Sequence, residues 1–216
     1  MPKTNTSLIS ILGVWIVTVL VWAGYRYFWQ MPEWVEEIIL KPVVFVLPVW
    51  IYLKTKQPKV TLVDLGFHRA KFMAILGWGV GFGLFLTLEN LVIWWSKWSG
   101  ISANVFLPSH LLISAAVSLA TALTEEILYR GFLLDKIWQL TGRAYTANLL
   151  TTMLFVIGHL GVGVFRLNYF GNDLAVYLLT ISVIGFTQGF IYLETRSVAA
   201  TTMAHALWNF SNTLFI

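Results

Sequence analysis

The sequence predicts an all-α protein built from membrane-spanning helices, and three observations lead to that prediction. Hydrophobic residues occupy 58% of the 216 positions, whereas charged residues occupy 11%, well below the ~25% of a typical soluble domain. The apolar residues fall into stretches near the ~20 residues that a helix needs to cross a bilayer. Eleven tryptophans and eight tyrosines fit aromatic belts at the two membrane interfaces.

About seven transmembrane helices are predicted in chain order. Their approximate bounds are Leu8–Tyr25, Ile38–Leu53, Phe72–Trp95, Leu107–Leu134, Tyr145–Val164, Leu174–Leu193 and Ser197 to the C-terminus. The first is expected to be retained, because it lacks the small-residue cleavage site of a signal peptide. Polar connections are predicted at 26–37, 54–71, 135–143, 166–173 and 194–196. Small residues between Gly77 and Gly83 in the third span would let another helix approach closely.

We expect one membrane domain in two parts. Residues 1–106 hold the first three spans and a basic loop at 54–71, and residues 107–216 hold spans four to seven. The basic loop carries five lysine or arginine residues against one aspartate, so the positive-inside rule assigns it to the cytoplasm. The N-terminus is then predicted to be cytoplasmic and the C-terminus to lie outside.

Composition also excludes several classes of partner and chemistry. The chain has no cysteine, so it has neither a disulfide framework nor a thiolate nucleophile. It has no basic arm with interleaved aromatic residues, and nucleic acid is therefore not an expected partner. The expected surroundings are the lipid bilayer, and the sequence specifies no oligomeric state.

Two adjacent carboxylates and an arginine interrupt the apolar run of the fourth span, as Glu125-Glu126-x-x-x-Arg130. A charge at the centre of a spanning helix costs about 2.5–3.5 kcal/mol on insertion scales, which favours a functional role. Glu126 and Arg130 are four residues apart and can pair on one helix face. Glu125 is turned by about 100° and is predicted to face a polar cavity. The alternative is an interfacial helix end with ordinary charges.

Two histidines are predicted to lie at a depth similar to that of Glu125. Measured from the predicted cytoplasmic helix ends, Glu125, His159 and His205 lie about 15, 21 and 12 Å deep, in a hydrocarbon core about 30 Å thick. Asn209 follows His205 by one helical turn. The alternative for each histidine is a packed, hydrogen-bonded side chain between helices.

These residue types support two chemical schemes, and the sequence leaves both open. A carboxylate and an imidazole can hold a water molecule and remove its proton, while a second imidazole and an amide donate to the developing oxyanion. Alternatively, one glutamate and two histidines can bind zinc with an open coordination position. Glu89 and Gln188 are further intramembrane polar residues that could line the same cavity.

Three motifs on successive spans resemble those of the CAAX-protease and bacteriocin-processing (CPBP) family of intramembrane proteases, which includes the Ras-converting enzyme of eukaryotes. The motifs are Glu125-Glu126-x-x-x-Arg130, Phe155-x-x-x-His159 and His205-x-x-x-Asn209. The resemblance covers roughly residues 107–215. The signatures of site-two metalloproteases, rhomboids and presenilins are absent from the sequence.

The resemblance implies a role for each motif residue. Glu125 would be the general base and would act with His159 on the attacking water. His205 and Asn209 would stabilise the oxyanion. Two further residues would support the structure of the site: Glu126 and Arg130.

The resemblance leaves the metal and the substrate open. No cofactor is favoured, because an amide at position 209 suits an oxyanion donor better than a ligand; if zinc is bound, Glu125, His159 and His205 would hold it. The implied activity is hydrolysis of a membrane-associated peptide, either prenylated or of leader type, at a site open to the cytoplasm. The alternatives are a non-enzymatic scaffold or bacteriocin-immunity protein, and a small transporter, which the lack of paired broken helices disfavours.

Overall fold

A computed structural model describes residues 7–68, 72–97 and 107–213, and it confirms the all-α prediction. Within these ranges the chain forms seven long helices and no β-strand. The helices are α1 Leu8–Phe28, α2 Glu33–Lys56, α3 Phe72–Lys97, α4 Pro108–Thr141, α5 Ala144–Arg166, α6 Gly171–Thr195 and α7 Val198–Thr213.

The helices have the length and composition of a multi-pass integral membrane protein. The first six are each long and apolar enough to cross a membrane. Large apolar side chains such as Leu20, Leu112 and Leu179 are exposed on the outside of the bundle, where lipid would cover them. α7 is shorter, with 16 residues in the described part of the chain, and much of its surface is buried by its neighbours.

Two of the predicted polar connections are wrong, because their charged residues are paired inside helices. α2 begins at Glu33 rather than at position 38, and Glu36 and Glu37 are buried within it. α4 continues through the predicted connection at 135–143 as far as Thr141. Asp135 is buried within that helix and pairs with Arg196 at 2.6 Å.

α7 packs in the interior of the bundle against α3, α4 and α6. Its close approach to α3 depends on two of the predicted small residues, Gly79 and Gly83. A methyl group at Gly79 would lie 2.8 Å from the carbonyl oxygen of Ala200, and one at Gly83 would lie 3.1 Å from the Cα atom of Ala204. Helix α7, with its histidine, is therefore held directly against the N-terminal half of the chain.

The loop after α2 folds back against α4 and the start of α7. Gly66 has a left-handed backbone, with φ of 89°, which glycine adopts without strain. The carbonyl oxygen of Gly66 accepts a hydrogen bond from the N–H of Val198 at 3.0 Å. A side chain at Gly131 of α4 would overlap the carbonyl group of Leu65. This contact fixes the middle of α4 relative to the start of α7.

α4 widens into π-helical turns at Ile127–Leu134, immediately after its two glutamates. All eight residues of this segment are buried. Such turns are uncommon and are often found at functional sites. In α4 these turns carry Arg130 and the tightly packed Gly131, and they lie between the two carboxylates and the C-terminal end of the helix.

Candidate active site

The two carboxylates of α4 have different partners. Arg130 Nη1 donates to Glu126 Oε1 at 2.9 Å, and His205 Nδ1 donates to the same oxygen at 2.8 Å. Glu125 instead accepts from the ammonium group of Lys41 on α2, at 2.7 Å from its Oε1. The sequence left Glu125 without a partner, so this ion pair is a feature that only the fold reveals.

His159 and His205 present the same ring nitrogen to Glu125. The Nε2 atom of each histidine lies 3.8 Å from Glu125 Oε2. Nδ1 of His159 lies 2.8 Å from the carbonyl oxygen of Phe155. Because a carbonyl can only accept, Nδ1 carries the proton when His159 is neutral, and Nε2, 3.8 Å from Glu125 Oε2, is then the acceptor nitrogen.

Glu125 Oε2 has no hydrogen-bond partner among the described residues, although it is buried. A distance of 3.8 Å is too long for a direct hydrogen bond to either imidazole, and a bridging water is the usual solution at such a separation. The three atoms border a cavity of about 180 Å³. The cavity has room for a water molecule and part of a substrate.

The cavity is lined by residues from six of the seven helices, α1, α2, α4, α5, α6 and α7. Its lining comprises Arg26, Glu37, Lys41, Thr121, Glu125, His159, Val162, Tyr177, Ile181, His205, Trp208 and Asn209. Asn209 makes no hydrogen bond within the described part of the chain, and it is half-buried on the same face of α7 as His205. Its amide is therefore available to a ligand in the cavity.

The N-terminal helices contribute a chain of charges that sequence reasoning missed. Arg26 on α1 pairs with Glu36 at 3.0 Å and with Glu37 at 2.6 Å. Glu37 pairs in turn with Lys41 at 2.7 Å and accepts from the Thr121 hydroxyl at 2.8 Å. A signal was present, because Glu37 and Lys41 have the same four-residue spacing as Glu126 and Arg130. The predicted boundary placed Glu37 in a connection and Lys41 in the second span, so the pair was not recognised.

Arg130 ties the motif of α4 to two other helices. Its Nη2 donates to the carbonyl oxygen of Gly185 on α6 at 2.8 Å. Its guanidinium carbon lies 4.7 Å from the ring centre of Phe155 on α5, a cation–π distance. The same ring lies 4.2 Å from that of His159. Arg130 and Phe155 thus pack against the carboxylate of Glu126 and the imidazole of His159, and neither of them lines the cavity.

The two other polar residues considered from the sequence lie outside the cavity. Glu89 is exposed on the outer surface of α3, whereas its neighbour Asn90 is buried and donates to the Ser211 hydroxyl at 2.8 Å. Gln188 is buried between α6 and α7. Its amide can donate to the carbonyl of Thr201 and accept from the His205 N–H, each at 3.1 Å, so it anchors the backbone of α7.

Glu125, His159 and His205, the residues proposed as zinc ligands, are not arranged to bind a metal ion in this structure. No group of three or more His, Cys, Asp or Glu side chains within the described ranges is arranged to hold a metal ion. Zinc bonds of about 2.0–2.2 Å in a tetrahedral site would bring ligand atoms to roughly 3.3 Å from one another, whereas Glu125 Oε2 is 3.8 Å from each imidazole. The second oxygen of Glu125 is already bound by a lysine cation.

A comparison with known protein families gives a match in the C-terminal half of the chain. The family model for type II CAAX prenyl endopeptidases, described as Rce1-like, matches residues 106–211. This segment contains all three motifs that border or support the cavity. The chain belongs to the CAAX-protease family. No curated protein and no solved structure is significantly similar to it.

Membership in the CAAX-protease family gives the general activity, which is that of an intramembrane endopeptidase acting on a peptide substrate. The matched segment covers α4 to α7 and includes both histidines and both glutamates. The helices that supply Arg26, Glu37 and Lys41 lie outside it. The CAAX-protease match therefore accounts for one side of the cavity only.

Proposed function

We propose that the protein hydrolyses a peptide bond of a membrane-associated peptide, of prenylated or leader type, by a water molecule that Glu125 activates. The observation that carries this proposal is the unpartnered Glu125 Oε2, buried in a cavity and equidistant, at 3.8 Å, from Nε2 of His159 and of His205. A carboxylate and imidazoles with room for one water between them form an arrangement suited to general-base catalysis.

Charge balance supports a different protonation state for each histidine. The connected buried groups comprise three permanent cations and four carboxylates: Arg26, Lys41, Arg130, Glu36, Glu37, Glu125 and Glu126. A net buried charge is costly in a membrane interior, and one protonated imidazole removes it. His205 is the histidine that donates to a carboxylate through Nδ1, so we assign the second proton to its Nε2. His159 stays neutral.

The proposed reaction uses these two states directly. Glu125 Oε2 removes one proton from the water while the water oxygen attacks the carbonyl carbon of the scissile bond, and Nε2 of His159 accepts a hydrogen bond from the O–H that remains on the attacking oxygen. The oxyanion receives hydrogen bonds from His205 Nε2–H and the Asn209 amide. Collapse breaks the C–N bond, and the proton on Glu125 passes to the leaving amine. One water is consumed, and a carboxylic acid and an amine are formed; the acid then gives its proton to the amine, so the products leave as a carboxylate and an ammonium group.

We propose that the reaction needs no metal. The pairing of Glu125 with Lys41 supplies positive charge beside the carboxylate, and all steps above use side chains of this chain alone. Activity should therefore persist after exhaustive chelation, with less than one zinc per protein by metal analysis. Loss of activity on chelation that zinc alone restores would contradict this part of the proposal.

The direct test is hydrolysis of a panel of membrane-anchored reporter peptides by the purified protein in liposomes. Glu125→Gln, His159→Ala and His205→Ala should each abolish turnover while leaving the protein folded. Glu89→Gln and His110→Ala are matched controls, because both side chains are exposed away from the cavity, and each should retain wild-type activity. Wild-type turnover by Glu125→Gln would end the proposal.

One observation favours a second candidate, a non-enzymatic scaffold or immunity protein. The ion pair of Glu125 with Lys41 satisfies one oxygen of the carboxylate in the way that a purely structural network would. In that case the Glu125→Gln protein would still rescue the phenotype of a deletion strain. A catalytically required Glu125 predicts no rescue.

A further inference from the structure

The strongest unassigned feature is the lysine of α2 that reaches across the bundle to Glu125. Lys41 is 4% exposed, and its ammonium group lies 2.7 Å from Glu37 Oε2 and 2.7 Å from Glu125 Oε1. Glu37 is held in place by Arg26 and by the Thr121 hydroxyl. The lysine is thus fixed from one side and bonded to the reactive carboxylate on the other.

The geometry makes the two oxygens of Glu125 different. Oε1 is bound by Lys41, whereas Oε2 has no partner and faces both imidazoles. Without the lysine, the carboxylate would be free to rotate about its last torsion, which is broad for a terminal sp² group. Either oxygen, or neither, would then point at the water site. A small misplacement of a catalytic group can cost about a hundredfold in rate.

We propose that Lys41 is a positioning residue, which holds Glu125 so that Oε2 alone meets the water; this rests on the peptidase activity proposed above. Arg26 and Glu37 act through Lys41 by fixing its ammonium group. The N-terminal helices therefore complete the active site, although the family match begins only at residue 106.

The test compares kcat and KM for four variants in liposomes with the same reporter peptide. Lys41→Met keeps the length of the side chain and removes its charge. Lys41→Arg keeps the charge. The double variant Lys41→Met/Glu37→Gln removes one charge of each sign and so restores the charge balance of the buried network. Lys54→Met is the matched control, since Lys54 lies on the same helix but is exposed.

The proposal predicts that Lys41→Met lowers kcat by about a hundredfold with KM little changed, and that Lys41→Arg recovers part of the loss. The double variant should unfold at a temperature close to that of the wild type yet remain slow. Lys54→Met should match the wild type in kcat and KM.

Two results would overturn the role of Lys41. If the double variant regains wild-type kcat, the lysine only neutralises Glu37. If Lys41→Met keeps wild-type kcat while Glu125→Gln is inactive, the lysine has no part in positioning. Activity in Glu125→Gln would overturn the proposed function itself, and the two failures are thus distinguishable.

Discussion

The two neighbouring glutamates of α4 sit in surroundings of opposite character. Glu126 is 0% exposed and is enclosed by Arg130 and His205, both from the half of the chain that the family model matches. Glu125 borders a cavity, and its only ion-pair partner at hydrogen-bond distance among the described residues is Lys41, from outside that half. One carboxylate is enclosed by its partners away from the cavity, and the other has an unpartnered oxygen beside the cavity.

The difference shows how a membrane protein can keep a charged group available. Arg130 binds Glu126 and also contacts α5 and α6, and His205 of α7 binds the same oxygen, so the Glu126 side holds α4, α5, α6 and α7 together. In each carboxylate Oε1 is bound and Oε2 has no hydrogen-bond partner among the described residues, but of the two glutamates only Glu125 lines the cavity. A buried polar atom without a partner costs about 1–3 kcal/mol, and a site that binds water or substrate is a reason for that cost to persist.

The largest difference expected from this comparison is in stability rather than activity. Glu126→Gln would leave Arg130 as a buried cation without a carboxylate, and breaking such a pair costs about 3–5 kcal/mol. Glu125→Gln leaves Lys41 paired with Glu37, so it should cost clearly less. Thermal unfolding of both variants in detergent measures this. Equal losses of stability would show that the two sides of α4 are not distinct.

The next effect is on catalysis, at the edge of the cavity. Asn209→Ala should lower kcat by about 10²–10³-fold, the usual loss for one oxyanion donor, with little change in stability, because the Asn209 side chain has no hydrogen bond within the described ranges. Asn212→Ala is the control, since Asn212 lies on the same helix and, among the described residues, donates only to the carbonyl of Trp208. Loss of folding in Asn209→Ala would instead assign that residue to the Glu126 side.

The same contrast explains how much of the site the sequence could predict. The Glu126–Arg130 pair follows from a four-residue spacing within one helix, which is a local property. The motifs on α5 and α7 were found because each is itself local and the predicted depths agreed. The pairing of Lys41 with Glu125 joins positions 84 residues apart, the difference of their numbers. No periodicity within one helix contains that information.

The fold was predictable for a related reason. Helix lengths and apolar composition are set by the bilayer, so the number of helices followed from hydropathy. The errors fell where charges are buried by pairing, at Glu36 and Glu37 in α2 and at Asp135 in α4. A rule that assigns charged stretches to loops fails wherever a distant partner neutralises them.

A smaller effect is expected where α4 meets the loop after α2. Gly131→Ala would press a methyl group into the backbone of Leu65, and overpacking of this kind costs about 1–3 kcal/mol. Gly77→Ala is the matched control, because no atom lies within 4 Å of a methyl group there; alanine should stabilise that helix by up to about 1 kcal/mol. Opposite shifts in melting temperature are expected, and a stabilised Gly131→Ala would contradict the packing described.

The smallest effect concerns pH and the loop itself. Burial raises the pKa of Asp64, but hydrogen bonds from the Thr61 side chain, from Gln57 and from the Thr61 N–H outweigh it, so the pKa lies below its ordinary value of 3.8. A carboxyl group with a lowered pKa in the folded state stabilises the protein at pH values above that ordinary pKa and ceases to do so as pH falls through the folded pKa.

Asp64→Asn should therefore lower the melting temperature slightly at pH 6, by the equivalent of about 1 kcal/mol or less, and the difference in melting temperature from the wild type should narrow below pH 4. The control is Asp173→Asn, which changes an exposed aspartate at the start of α6. A gap for Asp64→Asn that stays constant from pH 6 to the acid limit would mean that the loop is held by its backbone contacts with Gly131 and Val198 alone.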